Sequence, residues 1–269
     1  MKILATDLDR TLLPNGSWPA DPDAIKLFNE LTENHAVQVV YVTGRNLALS
    51  EDAIRQYGIR HPHFLIGDVG TTIRKYHHGE WHDYEGWDAL IRQSSPRWDA
   101  ETIRDAVKDI EGMVEQESEH CGPFKQSYYV DHDNNEAILE VVDSRVRNQY
   151  DEVIIYSFDS QTGKGLLDFL PNSATKQTAL EFIADELGAN MSEVVFCGDS
   201  GNDVFPLTAG FNGVLVRNAD DQLVARVKQA AAKNPNLKLY FAKGDFKNLN
   251  GYYTSGVIEG AYYYGIFDR

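Results

Sequence analysis

Cysteine is nearly missing from this chain: two residues in 269, Cys121 and Cys197, form neither a metal-ligand spacing nor a disulfide framework. Burial rather than cross-linking must hold the fold, and a reducing compartment is expected. Cys197 falls in the apolar run VVFC and reads as a small buried side chain, not a nucleophile. Basic residues are short as well. Against 41 Asp and Glu stand 25 Lys and Arg, a formal net charge of −16, which removes the general electrostatic grip that nucleic acid or an anionic membrane requires. A small anion held by a few local donors remains compatible with that balance. No stretch approaches the ~18 continuous apolar residues of a membrane span. The run after Met1 and Lys2 stops at Asp7, too short for a secretory signal, so the cytoplasm is the expected location. Repeats and low-complexity tracts are absent too.

What is present is a strand and helix alternation in a chain long enough for about two domains. MKILAT reads as a strand, 23–33 as a helix, VQVVYVT as a buried strand, and 47–57 as a second helix. HFLIGDVGTTI follows as a third strand with a glycine-marked turn. Beyond Tyr84 the texture changes: a helix over 100–110, then KQSYYV, AILEVV, DEVIIYSF and GLLDFL as strands, which describes a smaller α+β domain inserted into the first. Near Asn172 the first texture returns, with ATKQTALEFIADELG as a helix, EVVFC and GVLVRN as strands, a helix over 221–233, and an aromatic-rich terminal helix packed into the core. The predicted fold is therefore α/β: a doubly wound, Rossmann-like parallel sheet over 1–83 and 172–269, with an α+β insert over 84–171.

The first strand ends on Asp7 and Asp9. Residues at i and i+2 of an extended chain point to one side, and carboxylates that close call for a cation. Mg²⁺, which takes oxygen ligands and needs only one or two carboxylates, would supply it; a plain acidic loop is the alternative. Three more polar places fall where strands should end: Thr43-Gly44-Arg45, Lys176, and Asp199 with Asn202 and Asp203. Ligands of open α/β sheets bind at the C-terminal strand edge, so these four places would converge on one crevice. Thr43-Gly44-Arg45 leads into a helix whose positive end suits an anion, although a Thr N-cap would look the same. Lys176 starts a helix, where a cation opposes the dipole, a sign that it answers another negative charge. The competing lysine, Lys164, lies between glycines and reads as a solvated hairpin turn. DHDNNE begins like a calcium loop but lacks its later Gly and Glu, and is predicted to be a hairpin turn.

In that order DLDRT, the Thr43 turn, a later Lys and GDSGND resemble the four motifs of the haloacid dehalogenase superfamily. The insert looks like the type IIB cap of its sugar-phosphatase branch, and FKQSYYVD, LLDFLP, FCGDSGND and SGVIEGAYYYGIF are similar to segments of sucrose-phosphate phosphatases. The resemblance runs essentially the full length and is weaker through the cap. It implies a Mg²⁺-dependent hydrolase of a sugar phosphate monoester, sucrose 6-phosphate first among them, with mannosylfructose phosphate and glucosylglycerol phosphate as alternatives. A phosphomutase and a non-catalytic sugar-phosphate sensor are the competing functions. By the same resemblance Asp7 is the nucleophile that forms an aspartyl-phosphate, and Asp9 is the acid and then the base. Thr43 and Lys176 bind the phosphoryl oxygens, joined by Gly44, Arg45 and Asn202. Asp199, the Asp7 carboxylate and the Asp9 backbone carbonyl coordinate Mg²⁺, and Asp203 supports that shell. Lys125, Ser127 and Tyr128 match the sugar-gripping segment, while Gly70 and Thr71 are similar to pocket-lining positions. Two departures stand out: Arg10 replaces the frequent Gly or Asn, and Gln177 follows Lys176 where many relatives have Gly. The expected partner is a phosphorylated sugar, with no nucleic acid and no membrane, for a chain taken as a monomer.

Overall fold

A computed structural model describes residues 1–159 and 162–268. The chain divides into two compact units, one of Met1–Asp83 with everything from Lys176 onward, the other of Tyr84–Thr175. The second junction thus falls after Thr175, four residues beyond the Pro171 and Asn172 boundary expected from texture.

The first unit contains β1 (Lys2–Thr6), α1 (Ala24–Asn34), β2 (Val37–Val42), α2 (Leu47–Tyr57), β3 (Phe64–Gly67), β4 (Thr72–His77) and β5 (Glu80–Asp83). The second contains α3 (Trp87–Ser94), α4 (Ala100–Val107), β6 (Met113–Glu115), β7 (Gln126–Val130), α5 (Asn135–Val146), β8 (Glu152–Asp159) and β9 (Lys164–Pro171). The chain then returns to the first unit with α6 (Lys176–Glu186), β10 (Val194–Gly198), α7 (Val204–Thr208), β11 (Asn212–Leu215), α8 (Asp221–Lys233), β12 (Lys238–Phe241) and α9 (Thr254–Tyr263).

Eight strands of the first unit form one sheet in the order β12-β11-β10-β1-β2-β3-β4-β5. The six from β12 to β3 run parallel, and β4 and β5 add an antiparallel edge. This is the predicted doubly wound α/β sheet. Its parallel strands are apolar because both faces are covered: β3 and β10 are buried throughout. The core joins Leu4, Phe28, Val39, Tyr41, Leu65 and Val214 with Val257 and Ile258 of α9. Helix α2 shows how locally such elements are specified: the Asn46 side chain accepts from the Leu49 N–H, and Gly58 closes the helix at φ +66° while bonding the Ile54 carbonyl. The chain leaves β1 toward β2 and β3 on one side, and β10 to β12 extend on the other. Strand order reverses at β1, and the switch point is where such sheets bind ligands.

The second unit is an antiparallel sheet, β6-β7-β9-β8, whose core side chains Tyr128, Val130, Leu167 and Phe169 pack with Ile103 and Val107 of α4 and with Ile138, Val142 and Val146 of α5. Here two expectations are corrected. AILEVV, predicted as a strand, lies inside α5. Over six residues its apolar pattern fits either period; the continuation to Val146 places Ile138, Val142 and Val146 four apart on one buried stripe, with Val141 exposed. DHDNNE is accordingly no hairpin but the turn that starts α5, with the Asp131 carboxylate accepting from the Asp133 N–H and the Asn134 amide. Strands β5, β6 and β12 and helix α3 fall outside the elements expected from sequence, and HFLIGDVGTTI reached only the first residues of β4; each is short, at most eight residues. Among the described residues no helix is long and apolar enough to cross a membrane.

If 135–146 is helical, Glu140→Pro should cost about 3 kcal/mol or more at this exposed mid-helix position, while Glu140→Ala changes stability by less than ~0.5 kcal/mol. Urea unfolding of the two variants measures the difference, and a near-equal cost would contradict the helix.

Candidate active site

Asp7 leaves β1 at its C-terminal end, its N–H donating to the Cys197 carbonyl of β10 at 2.9 Å. The next turn is anchored by buried Leu8, whose carbonyl accepts from the N–H groups of Thr11, Leu12 and Leu13. Since β1 ends at Thr6, the extended-chain argument does not hold for Asp7 and Asp9: their side chains part company, each toward its own cation.

Lys176, the first residue of α6, is 1% exposed. Its ammonium donates to Asp7 Oδ1 at 2.7 Å, Asp203 Oδ1 at 2.8 Å and Asn202 Oδ1 at 2.9 Å, which uses all three protons. Burial works against that charge, but Asp203 and Asp7 outweigh it and hold the ammonium above its ordinary range. Asp203, fully buried, spends Oδ2 on the backbone N–H groups of Asp199 and Ser200. Both of its oxygens are therefore committed to positioning the lysine and the GDSGND loop. Gly198 makes this possible, because a Cβ there would stand 2.6 Å from the Asp203 carboxyl carbon.

Asp199, 1% exposed, accepts the Thr11 hydroxyl on Oδ1 at 2.8 Å. Its Oδ2 is buried without a hydrogen bond, 3.3 Å from Arg10 Nε. Arg10 adopts a left-handed conformation, φ +59°, and also pairs with Asp220 at 2.6 Å. One carboxylate oxygen from each of Asp7, Asp199 and Asp203 lies within 4.8 Å of the other two, and no other such cluster of ligating side chains occurs among the described residues. Burial pushes Asp7 up to about 7 despite the pull of Lys176, with Asp203 and Asp9 adding to the rise. Burial likewise raises Asp199 well above the usual carboxylate range, reinforced by Asp7 and Asp203. An all-oxygen donor set with excess negative charge and an orphaned buried oxygen fits a hard divalent cation such as Mg²⁺ and offers nothing to a soft one.

Asp9 turns instead to Arg45, accepting from Nε at 2.8 Å on Oδ2 and from the terminal nitrogen at 2.7 Å on Oδ1, where Asn15 also donates. The metal role expected for Asp9 accordingly cannot come from its side chain as it stands; its main-chain carbonyl, the group named by the resemblance, is the remaining candidate. Arg45, expected to face an anion, is committed to Asp9 and to the Leu49 carbonyl. Thr43 is fully buried and accepts the Arg45 N–H on Oγ1 at 3.1 Å. It is not the cap of α2, a place taken by Asn46. The Gly44 N–H has no acceptor among the described residues. Behind this motif lies a left-handed run, Asp68 at φ +50°, Val69 at +61° and Gly70 at +109°. A β-branched residue in that region is an outlier. The strained turn straps the motif: Asp68 N–H donates to the Arg45 carbonyl and Val69 N–H to the Thr43 carbonyl, both at 3.0 Å. Thr71 is buried and donates to the Asp68 carbonyl, and α6 packs against the same turn.

The structure thus brings Asp7, Lys176, Asp199, Asn202 and Asp203 together, with Asp9, Thr43, Gly44, Arg45, Gly70 and Thr71 around the adjoining strand ends. Lys164 belongs to the other unit: it opens β9, exposed, with its ammonium 4.2 Å from the ring centre of Tyr129. In that unit Lys125, one residue before β7, and Ser127 both turn toward Asp168 of β9, at 3.9 and 2.5 Å. Tyr128 does not; it turns to α4 and α5, 3% exposed and edge-on to Phe169. Sequence reasoning gave no role to Thr11, Asn15 or Asp220. Thr11 could have been found as the last letter of DLDRT, whereas Asn15 and Asp220 carry no local signal.

Comparison with known proteins adds an independent line. The family model of sucrose-6F-phosphate phosphohydrolase matches residues 1–265. A putative HAD-like hydrolase of Nitrosococcus oceani is 36% identical over 96% of this chain and 70% of its own length. The mannosylfructose-phosphate phosphatase of Agrobacterium fabrum is 27% identical over the whole of this chain and 99% of its own length. Among solved structures, the Synechocystis sucrose-phosphatase, determined with sucrose and phosphate, superposes with a TM-score of 0.77 at 22% identity, covering 98% of this chain and 97% of that one, a likeness of fold.

Because burial raises Asp7 from 3.8 to about 7, and Asp199 in the same direction, the cation-free protein holds extra protons when folded and loses that stabilisation as pH rises through this interval. A divalent cation competes with those protons. Saturating Mg²⁺ should therefore raise the unfolding midpoint by roughly 5 °C at pH 8 and by less at pH 5, with chelation reversing the gain and Asp199→Asn removing most of it. Thermal scans at the two pH values measure this; equal shifts at both would discount the triad as the cation site.

Proposed function

The chain belongs to the sucrose-6F-phosphate phosphohydrolase family, and from that footing we propose that it hydrolyses a disaccharide phosphate, sucrose 6-phosphate before others, through an aspartyl-phosphate on Asp7. Membership makes it a phosphoric monoester hydrolase of the haloacid dehalogenase type. The observation that carries the finer reading is the buried ammonium of Lys176 held against Asp7 Oδ1.

With Oδ1 tethered, Oδ2 of Asp7 has no hydrogen bond among the described residues and is the oxygen free to attack phosphorus. As the Asp7 oxygen to phosphorus bond forms, the bond from phosphorus to the sugar oxygen breaks, and Asp9 gives that oxygen a proton. Water, deprotonated by Asp9, then attacks the same phosphorus and restores Asp7. An Asp9 carboxylate receiving two guanidinium N–H groups from Arg45 cannot also carry the proton for the sugar, so proton transfer requires that pairing to loosen. Lys176, the Thr43 hydroxyl and the free Gly44 N–H meet the charge that spreads over the phosphoryl oxygens. Bound at Asp7 and Asp199, Mg²⁺ would supply the positive charge that keeps both carboxylates ionised and offsets the charge of the phosphoryl group. In the second unit the same reading assigns the sugar to Lys125 and Ser127. Tyr128, on the opposite sheet face, is withdrawn from it. Cytoplasmic location belongs to this proposal as well.

Release of inorganic phosphate from a panel including sucrose 6-phosphate and mannosylfructose phosphate, with and without chelator, tests the substrate. Asp7→Asn should abolish turnover while the phosphorylated sugar still binds, and Asp9→Asn should lose about 10²–10⁴-fold. Lys176→Met should lose roughly 10²-fold or more, against little change for Lys164→Met. An Asp7→Asn variant as fast as the parent would end the nucleophile assignment, and transfer of phosphate back to sugar instead of its release would mark a mutase.

A further inference from the structure

In the turn after β1, Arg10 holds φ at +59°, a left-handed backbone that Gly and Asn adopt far more readily than a long side chain does. Its main chain is clamped there from both sides: the N–H donates to Asn15 Oδ1 at 2.7 Å, and the carbonyl accepts from the Asn218 amide at 2.6 Å. The clamp directs a side chain only 17% exposed between two carboxylates. One terminal nitrogen donates to Asp220 Oδ1 at 2.6 Å. Nε lies 3.3 Å from Asp199 Oδ2, close enough for attraction, yet that oxygen accepts no hydrogen bond among the described residues. Burial opposes the guanidinium charge, but Asp199 and Asp220 outweigh it and hold Arg10 above its ordinary range. Asp220 is tied to the same loop through its N–H, which donates to the Asp199 carbonyl at 2.8 Å.

A permanent positive charge thus stands beside the carboxylate oxygen left open for a divalent cation, and two cations so near one oxygen repel each other. The hydrogen bond to Asp220 is what keeps the guanidinium from closing on Asp199. We propose that Arg10 is a tethered counter-cation of the metal site, which answers Asp199 when the divalent cation is away and weakens that cation's hold, and that Asp220 is the positioning residue that draws Arg10 aside. This rests on the reading of Asp7 and Asp199 as Mg²⁺ ligands. Asn or Gly at position 10 would suit the backbone better and leave Asp199 unanswered, so the strain is retained where the charge is used. Arg10 thereby sets the affinity of the site without belonging to its ligand set, since a guanidinium has no lone pair to offer a metal.

Calorimetric titration of the cation-free protein with Mg²⁺, at one pH and ionic strength, reads the affinity without turnover. Arg10→Asn, which keeps a residue at ease in left-handed backbone, should tighten Mg²⁺ binding roughly tenfold or more. Asp220→Asn should loosen it severalfold, because the released guanidinium closes on Asp199. A merely structural role would weaken both variants, so the opposite signs carry the test. In the Arg10→Asn background Asp220→Asn should change little, as expected of a residue that acts through the guanidinium. Unchanged or weaker binding by Arg10→Asn overturns the proposal, and an equal loss from Asp220→Asn in both backgrounds overturns the part given to Asp220. Should Arg10→Asn fail to fold, Arg10→Gly, equally at home in that backbone, decides by the same reading. Failure of the cation reading shows separately, as a parent protein that takes up no Mg²⁺ or takes it up just as well with Asp199→Asn; that result removes this assignment with it.

Discussion

The ammonium of Lys176, buried among Asp7, Asp203 and Asn202, is the contact on which the rest of the first unit's site depends. Three buried carboxylates cannot share a few ångströms of low-dielectric space without a counter-charge. One ammonium offsets part of that charge and leaves an excess, which adds to the burial that pushes Asp7 and Asp199 upward and invites a hard cation to the same spot. The surrounding sequence serves this arrangement. A cation at the first position of α6 is poorly placed for the helix and well placed for Asp7. Gly198 admits the Asp203 carboxylate against the strand, and Asp203 in turn organises the loop that presents Asp199.

Around this centre the carboxylates are sorted by separate cations. Asp7 goes to Lys176, Asp9 to Arg45, and Asp199 lies beside Arg10. Two aspartates only two residues apart thus acquire different environments, one buried and raised, the other part-exposed and held by a guanidinium. Arg10, a departure from the common superfamily pattern, is bound up in this sorting through Asp199 and Asp220. The backbone carries part of the load as well, since the left-handed run at Asp68, Val69 and Gly70 is what reaches the carbonyls on both sides of Gly44.

The second unit shows how far a period can be read. Ser127 and Tyr128 are neighbours in β7, with Lys125 one residue before the strand, and the two-residue alternation separates Tyr128 from Ser127. Treating the three as one gripping segment overlooked that rule. AILEVV erred in the other direction: six apolar-rich residues satisfy a strand and a helix equally, and what decided for the helix was the stripe of Ile138, Val142 and Val146 packed on Ile103 and Val107.

By itself the sequence determined the alternation of apolar strands with amphipathic helices, the caps of α2, and the four polar places at strand ends, because each of these is written within a few neighbouring residues. Tertiary structure alone decided which aspartate meets which cation, that Asp203 spends both oxygens on positioning, and that Asp168 stands between Ser127 and Lys125. Lys176 lies 169 residues from Asp7, and Ser127 lies 41 from Asp168. Local periodicity specifies elements, but charge pairing across such distances exists only once strand order and register have brought the ends of separate elements together.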